Sequence, residues 1–393
     1  MLGEVPIFEF GLMIITLAIG ASIASHFKKS DIPVFILSGI ILGPYGIGRI
    51  SSFYVGSTTG AEHFIEIGAE LGVIFLLFFM GLSFSLKKFK KHSGRIATVG
   101  TIDLLNFAPG LLVGYLFFQD IMVAFLIGGI VYISSSAVIS KSLMDLGWES
   151  TPEADTMLGG LVFEDLAIVV YLAVLSAVLL TEETSITAIF QQIGIAMLFV
   201  VTLLVVIYTK PQYFDRLLDT DSTEIFVLRA VGFIGLITGT AMLLGLSEAI
   251  AAFFVGLAFG GTEHMAKLQQ ALYSFRYLFG GIFFFWIGMR TDPMLIRGIL
   301  PILILAVIGS SIYKFFTAYY SAKHFKMDIL SSRKVGVGMI TRGEFSLIIA
   351  AISAEAVGRY AVPNITEIVP AFAVSYVLVM TILGTILMQL MDR

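Results

Sequence analysis

A chain of 393 residues that is 58% hydrophobic, only 13% charged and has a mean hydropathy of +0.96 excludes a soluble globular enzyme and points to a polytopic membrane protein. Backbone polar groups in lipid have to be satisfied within their own segment, and no alternating strand pattern suggests a barrel, so the expected class is all-α. The absence of cysteine excludes disulfides and thiolate metal sites, and a net charge of −4 says little when nearly all charge lies between apolar runs.

In chain order the apolar runs give thirteen spans. Span 1 covers about Phe8–Ser25; it opens beside Glu4 and Glu9 rather than basic residues, which marks a retained helix and not a cleaved leader. Span 2, about Ile32–Ile47, is short and glycine-rich. Then come span 3 (about Ile65–Ser85), span 4 (about Arg95–Phe118) and span 5 (about Ile121–Leu143). Span 6, about Thr156–Leu180, is followed by span 7, about Ser185–Tyr208. The second half holds span 8 (about Thr223–Leu244), span 9 (about Glu248–Gly261) and span 10 (about Leu272–Met289). Span 11 (about Leu295–Ala322), span 12 (about Val335–Val357) and span 13 (about Ile368–Met391) close the chain.

Charge sets the orientation. Of the 24 Lys and Arg residues, sixteen fall in one alternating set of loops and four (Arg49, Arg290, Arg297 and Arg359) in the other. The richer set is read as cytoplasmic, which puts the amino terminus outside and the carboxyl terminus inside, as an odd number of spans requires. The plasma membrane is the expected location, and lipid the surrounding partner. Arg229 and Arg276 lie near cytoplasmic ends and read as interface anchors. Glu66, Glu70 and Glu248 lie near the opposite face, where they are solvated or lend a negative funnel to cations.

The halves repeat. Gly72–Leu82 of span 3 reads like Gly281–Met289 of span 10, and Gly39–Gly43 of span 2 like Gly256–Gly260 of span 9. Both matches are offset by seven spans, and an odd offset inverts topology. The expectation is a single transmembrane domain over 1–393, with inverted repeats at about 1–180 and 223–393 and a linker helix at about 185–208. Inverted repeats place a site at their interface near mid-membrane.

Span 6 carries that site's strongest candidates. Glu164 and Asp165 are adjacent carboxylates inside an apolar run, where an ionisable side chain costs roughly 2.5–3.5 kcal/mol on insertion scales. No basic residue lies within two helical turns, so an ion or proton site is a better account than a local ion pair. Spans 5 and 12, also seven apart, are both interrupted by small and polar residues: Ser134-Ser135-Ser136 in one, Thr341-Arg342-Gly343-Glu344 in the other. Breaks there would bring helix ends to the carboxylates, with Ser135 and Ser136 as ligands and Gly343 easing the unwinding. Arg342 and Glu344 then neutralise the broken ends. Lys314 lies about 12 Å from the end of span 11, too deep for full snorkelling, and a span-6 carboxylate is its simplest partner. Asp103, in span 4, is a possible satellite.

Taken together, Glu70–Gly81, Phe163-Glu164-Asp165-Leu166-Ala167, Phe253–Leu257, Phe284–Met289 and Gly338–Phe345 resemble the second monovalent cation:proton antiporter family, the Kef-type and bacterial and archaeal sodium/proton antiporter group. The resemblance runs through the whole chain. It implies an NhaA-like antiporter fold of 13 helices with two discontinuous, crossed helices, a mobile core and a homodimer whose contacts use Phe8–Ser25 and span 7. It also implies that Asp165, together with Glu164 at the position before it, binds cation and proton alternately, that Lys314 pairs with the first carboxylate, and that no cofactor is needed. If Glu164 pairs with Lys314 and the lysine releases a proton on cation binding, two protons move per ion. Glu at 164 departs from the Asp, Gln or Asn of relatives and leaves Na⁺ (preferred here) and K⁺ both open. No Gly-x-Gly-x-x-Gly unit occurs, so the nucleotide-binding domain of Kef-type relatives is not expected, and any regulatory partner is unknown. An ion-coupled organic-solute symporter on a related fold is the more remote alternative; nothing suggests an enzyme or a nucleic-acid partner.

Overall fold

The computed structural model describes residues 6–391 except 28–29, 84–85, 149–150, 244–247 and most of 180–210. Among the described residues the chain is helical throughout, joined by short turns. The helices are α1 (Pro6–His26), α2 (Ile32–Leu42), α3 (Thr59–Ser83), α4 (Leu86–Asp103), α5 (Phe107–Phe118), α6 (Ile121–Tyr132), α7 (Ser136–Asp145), α8 (Pro152–Leu179) and α9 (Pro211–Leu218). They continue with α10 (Thr223–Leu243), α11 (Glu248–Gly260), α12 (Met265–Met289), α13 (Leu295–His324), α14 (Ile329–Gly338), α15 (Glu344–Ala354) and α16 (Val369–Met391). Ten described segments are long and apolar enough to cross a membrane, with Ala251–Gly260 and Glu344–Ala354 as shorter apolar helices beside them. The protein is a multi-pass helical membrane protein. Span 7, about Ser185–Tyr208, lies largely outside the described residues.

Local chemistry explains where the helices depart from the apolar runs. α3 begins at Thr59 rather than near Ile65, because the Thr58 hydroxyl accepts from the Ala61 amide and starts the helix in a polar stretch. α12 likewise starts at Met265, well before the apolar run. Span 4 is not one helix. It tightens into a 3-10 turn at Leu104–Asn106 and restarts at Phe107, since Pro109 offers no amide and its ring crowds the carbonyl four residues back. Span 2 ends at Leu42, and a turn leads into a second 3-10 segment at Ile47–Arg49.

Two groups of helices pack chiefly among themselves. α1–α3 and α9–α12 form one; α4–α8 and α13–α16 form the other. Contact between the groups is sparse, through α11 with α8, α2 with α16 and α12 with α15. In the first group α2 crosses α12 and α3 crosses α11 with backbones nearly touching. A methyl group on Gly39 would run into the Phe285 carbonyl oxygen, and one on Gly81 into that of Phe253. Small residues permit such close approach where no hydrophobic force separates helix from lipid.

The second group contains two interruptions. α6 stops at Tyr132 and α7 resumes at Ser136; α14 stops at Gly338 and α15 resumes at Glu344. The breaks meet, for the Ser135 amide donates to the Thr341 carbonyl at 3.2 Å. Gly343 is needed here for proximity: a methyl group on it would collide with the Ser135 side chain. Close approach, rather than ease of unwinding, accounts for the glycine.

Candidate cation and proton site

Four helix ends converge at this crossing, two amino-terminal and two carboxyl-terminal, each carrying a partial charge of about half a unit. Arg342 serves the negative ends. Its guanidinium is fully buried and donates from Nε to the Val131 carbonyl at 2.9 Å. From Nη1 it reaches the Met339, Ile340 and Thr341 carbonyls at 3.0, 2.9 and 3.2 Å. Those oxygens finish α6 and α14. Glu344 serves a positive end, accepting from the Ser135 hydroxyl at 2.7 Å and the Ala137 amide at 3.4 Å while standing in the first turn of α15. Arg342 and Glu344 are close in sequence but bond to different helix ends and form no ion pair with each other.

The serines divide their labour. Ser135 is the N-cap of α7, accepting from the Val138 amide at 3.2 Å, and its proton goes to Glu344; it does not face the span-6 carboxylates as a ligand. Ser136 does, with its hydroxyl 3.3 Å from Asp165 Oδ1. Ser134, which the sequence reading did not single out as a ligand, binds Glu164 twice: the amide donates at 2.5 Å and the hydroxyl at 3.1 Å.

On α8 the two carboxylates live in different surroundings. Glu164 is completely buried and also accepts from Lys314 Nζ at 2.9 Å. Asp165, next in sequence, is half-buried, with Ser136 as its hydrogen-bond partner among the described residues. Lys314 does not stop at Glu164. Its ammonium lies 2.8 Å from Asp103 Oδ1 and 3.3 Å from the Tyr132 carbonyl oxygen, and stands over the Tyr132 ring. Asp103 thus belongs to the buried network rather than lying beside it.

At the helix ends away from the lysine-rich loops, Glu66, Glu70, Glu248 and Glu355 line a narrow cleft of about 30 Å³ with Phe283, Trp286 and Ile352. The cleft sits between the two helix groups. Glu66 is partly neutralised by Arg290 at 3.1 Å. Glu355, at the end of α15, is not singled out by the sequence; the structure places it beside Glu66, Glu70 and Glu248.

A family model described as "Sodium/hydrogen exchanger, transmembrane" matches residues 12–392. The chain belongs to that family. Among curated relatives, this sodium/hydrogen exchanger family member is 32% identical over 381 residues to the K(+)/H(+) antiporter subunit KhtU of Bacillus subtilis, covering 96% of this chain and 91% of that one. It is 27% identical over 352 residues to the probable Na(+)/H(+) antiporter GerT of Bacillus cereus, covering 88% and 90%. Its fold superposes on the sodium proton antiporter MjNhaP1 of Methanocaldococcus jannaschii with a TM-score of 0.72 at 17% identity, covering 98% of both chains. The family is one of transporters.

Proposed function

We propose that this exchanger family member moves a monovalent cation, Na⁺ or K⁺, against protons across its membrane by alternating access, and that cation and proton compete for Asp165. One observation carries the assignment: of the two carboxylates on α8, Glu164 accepts three hydrogen bonds from Ser134 and Lys314, whereas Asp165 has one, from Ser136, among the described residues and keeps acceptor sites beside the broken helices. A single carboxylate is neutralised by a proton or by an alkali ion, and binding one weakens the other. Asp165, the Ser136 hydroxyl and, on partial release from Lys314, Glu164 would hold the ion. Lys314, Arg342 and Glu344 supply fixed charge around it. The relatives' names include both K(+)/H(+) and Na(+)/H(+) antiporters, so both ions fit, and the 32% identity to a K(+)/H(+) antiporter subunit raises K⁺ to at least the standing of the Na⁺ favoured from the sequence.

The wider architecture of the proposal is thirteen spans in two inverted repeats, NhaA-like, with α6–α7 and α14–α15 as its discontinuous crossed helices. Reciprocal packing supports it: the span 2 glycine motif lies on span 10, and the matching motif of span 9 lies on span 3. The contacts Asp103–Lys314, Asn106–Thr317 and Val131–Arg342 each join residues 211 positions apart, as expected for equivalent positions meeting near a pseudo-two-fold axis. The sparse contact between helix groups supports movement of one against the other. The lysine-rich loops support a cytoplasmic carboxyl terminus in the plasma membrane. The exposed stripe Ile15, Ile19 and Ile23 on α1 supports a homodimer contact there.

Asp165→Asn in everted membrane vesicles tests the assignment. The variant is expected to abolish the dequenching of a pH-sensitive dye on addition of NaCl or KCl, and retained exchange would refute it.

A further inference from the structure

Lys314 has three ammonium protons and three oxygen partners: Asp103, Glu164 and the Tyr132 carbonyl. Its side chain and that of Glu164 are fully buried, and that of Asp103 is 4% exposed. Sharing one ammonium between two carboxylates is an unusual arrangement at this depth, and the sequence builds it deliberately. Asp103 closes α4 where the chain tightens ahead of Pro109. The Asn106 side-chain amide then holds it, donating to the Asp103 carbonyl at 2.8 Å and to Oδ1 at 3.0 Å. The same amide nitrogen lies 3.0 Å from the Thr317 hydroxyl, which bonds to the Lys314 carbonyl at 3.1 Å. One amide therefore fixes the carboxylate on α4 and the lysine's turn of α13 together.

This geometry solves a problem that cation binding creates. When Glu164 turns its oxygen toward an incoming ion, an ammonium with no second counter-ion would be stranded in a low-dielectric interior, and breaking a buried pair is strongly unfavourable. Asp103 stays. We propose that Asp103 is a positioning residue for exchange: the fixed counter-ion that keeps the Lys314 ammonium seated between α4 and α13 while Glu164 engages the cation. The proposal deepens the exchange reading at Asp165 and Glu164 and rests on it. It also predicts which way affinity changes. Without the Asp103 charge Glu164 is the ammonium's one remaining carboxylate beside the neutral Tyr132 carbonyl, and the cation has to compete harder for that carboxylate.

The test measures dye-reported exchange in everted vesicles across a range of NaCl and KCl for wild type, Asp103→Asn and Asp103→Glu, with Asp165→Asn alongside. Asp103→Asn is expected to raise the cation KM about tenfold with the maximal rate within about twofold, the pattern of lost binding rather than lost chemistry. Asp103→Glu, which keeps the charge, should bring KM back to within about threefold of wild type on the same reasoning. In detergent, the rise in Tm on adding NaCl or KCl should shrink in Asp103→Asn. An unchanged KM and Tm rise, or a fall in maximal rate alone, would overturn the proposal by leaving Asp103 a packing residue. If Asp103→Asn does not fold, the double variant Asp103→Asn with Lys314→Gln removes anion and cation together. It is expected to retain the salt-induced Tm rise, and its loss there would equally overturn the proposal. Exchange that persists in Asp165→Asn would instead sink the underlying reading, so the two failures are distinguishable.

Discussion

Two kinds of helix crossing hold this molecule together, and they are built from opposite materials. Where α2 meets α12 and α3 meets α11, glycines let unbroken apolar helices touch backbone to backbone. Where α6–α7 meets α14–α15, the helices break, and a buried guanidinium, two glutamates and two serines take up freed backbone groups. The first design is rigid because nothing can be inserted or removed. The second is costly to build but leaves polar groups at mid-membrane for an ion to use. A transporter needs both: a frame that does not deform and a site that can exchange its ligands.

The contrast can be broken most severely at Arg342. Arg342→Met removes the charge that satisfies four carbonyls, and leaving them unpaired should cost about 3–5 kcal/mol. Little folded protein is expected on size-exclusion chromatography; normal yield and Tm would show that the helix ends find other partners. Gly81→Val and Gly39→Val should each cost about 1–3 kcal/mol by forcing the apolar crossings apart. A detergent Tm within error of wild type would contradict the rigid-frame half of the comparison. Asp120→Ala should cost about 1 kcal/mol, since its carboxylate caps α6 by accepting from the Met122 and Val123 amides at 2.7 and 3.1 Å. That loss would loosen the half-helix leading into the site without touching the crossing.

The smallest effect is at the amino end of α14. Asp328 caps that helix in solvent, and the Ser331 amide it binds holds its carboxyl below the usual carboxylate range. A group depressed in the folded state stabilises above its unfolded pKa and loses that contribution as pH falls through its folded value. Asp328→Ala should therefore narrow the fall in Tm between pH 6 and strongly acidic buffer, and an unchanged acid profile would show that the cap contributes nothing.

Much of this design is legible in the residues themselves. Adjacent carboxylates in an apolar run mark α8, and the serine triplet and Arg342-Gly343-Glu344 mark where the chain is interrupted. What sequence cannot assign is which of several similar groups faces which. Ser135 and Ser136 look alike on paper, yet one caps a helix and the other reaches Asp165, because a break rotates successive residues onto different neighbours. Arg342 and Glu344 look like a pair because they are two residues apart, but helix ends of opposite sign draw them in different directions. Asp103 is visible only as an odd residue in span 4. Its partnership with Lys314, 211 positions away, depends on a kink made by Pro109 and on the meeting of the two halves.

The competition at Asp165 is open to a direct measurement: the apparent cation KM for exchange as a function of pH at fixed maximal rate. If proton and cation share one carboxylate, KM should rise about tenfold for each unit of falling pH once the proton dominates, with the maximal rate unaltered. A KM that stays flat across pH 6 to 9 while exchange continues would contradict the account, because the two ions would then be bound at separate places.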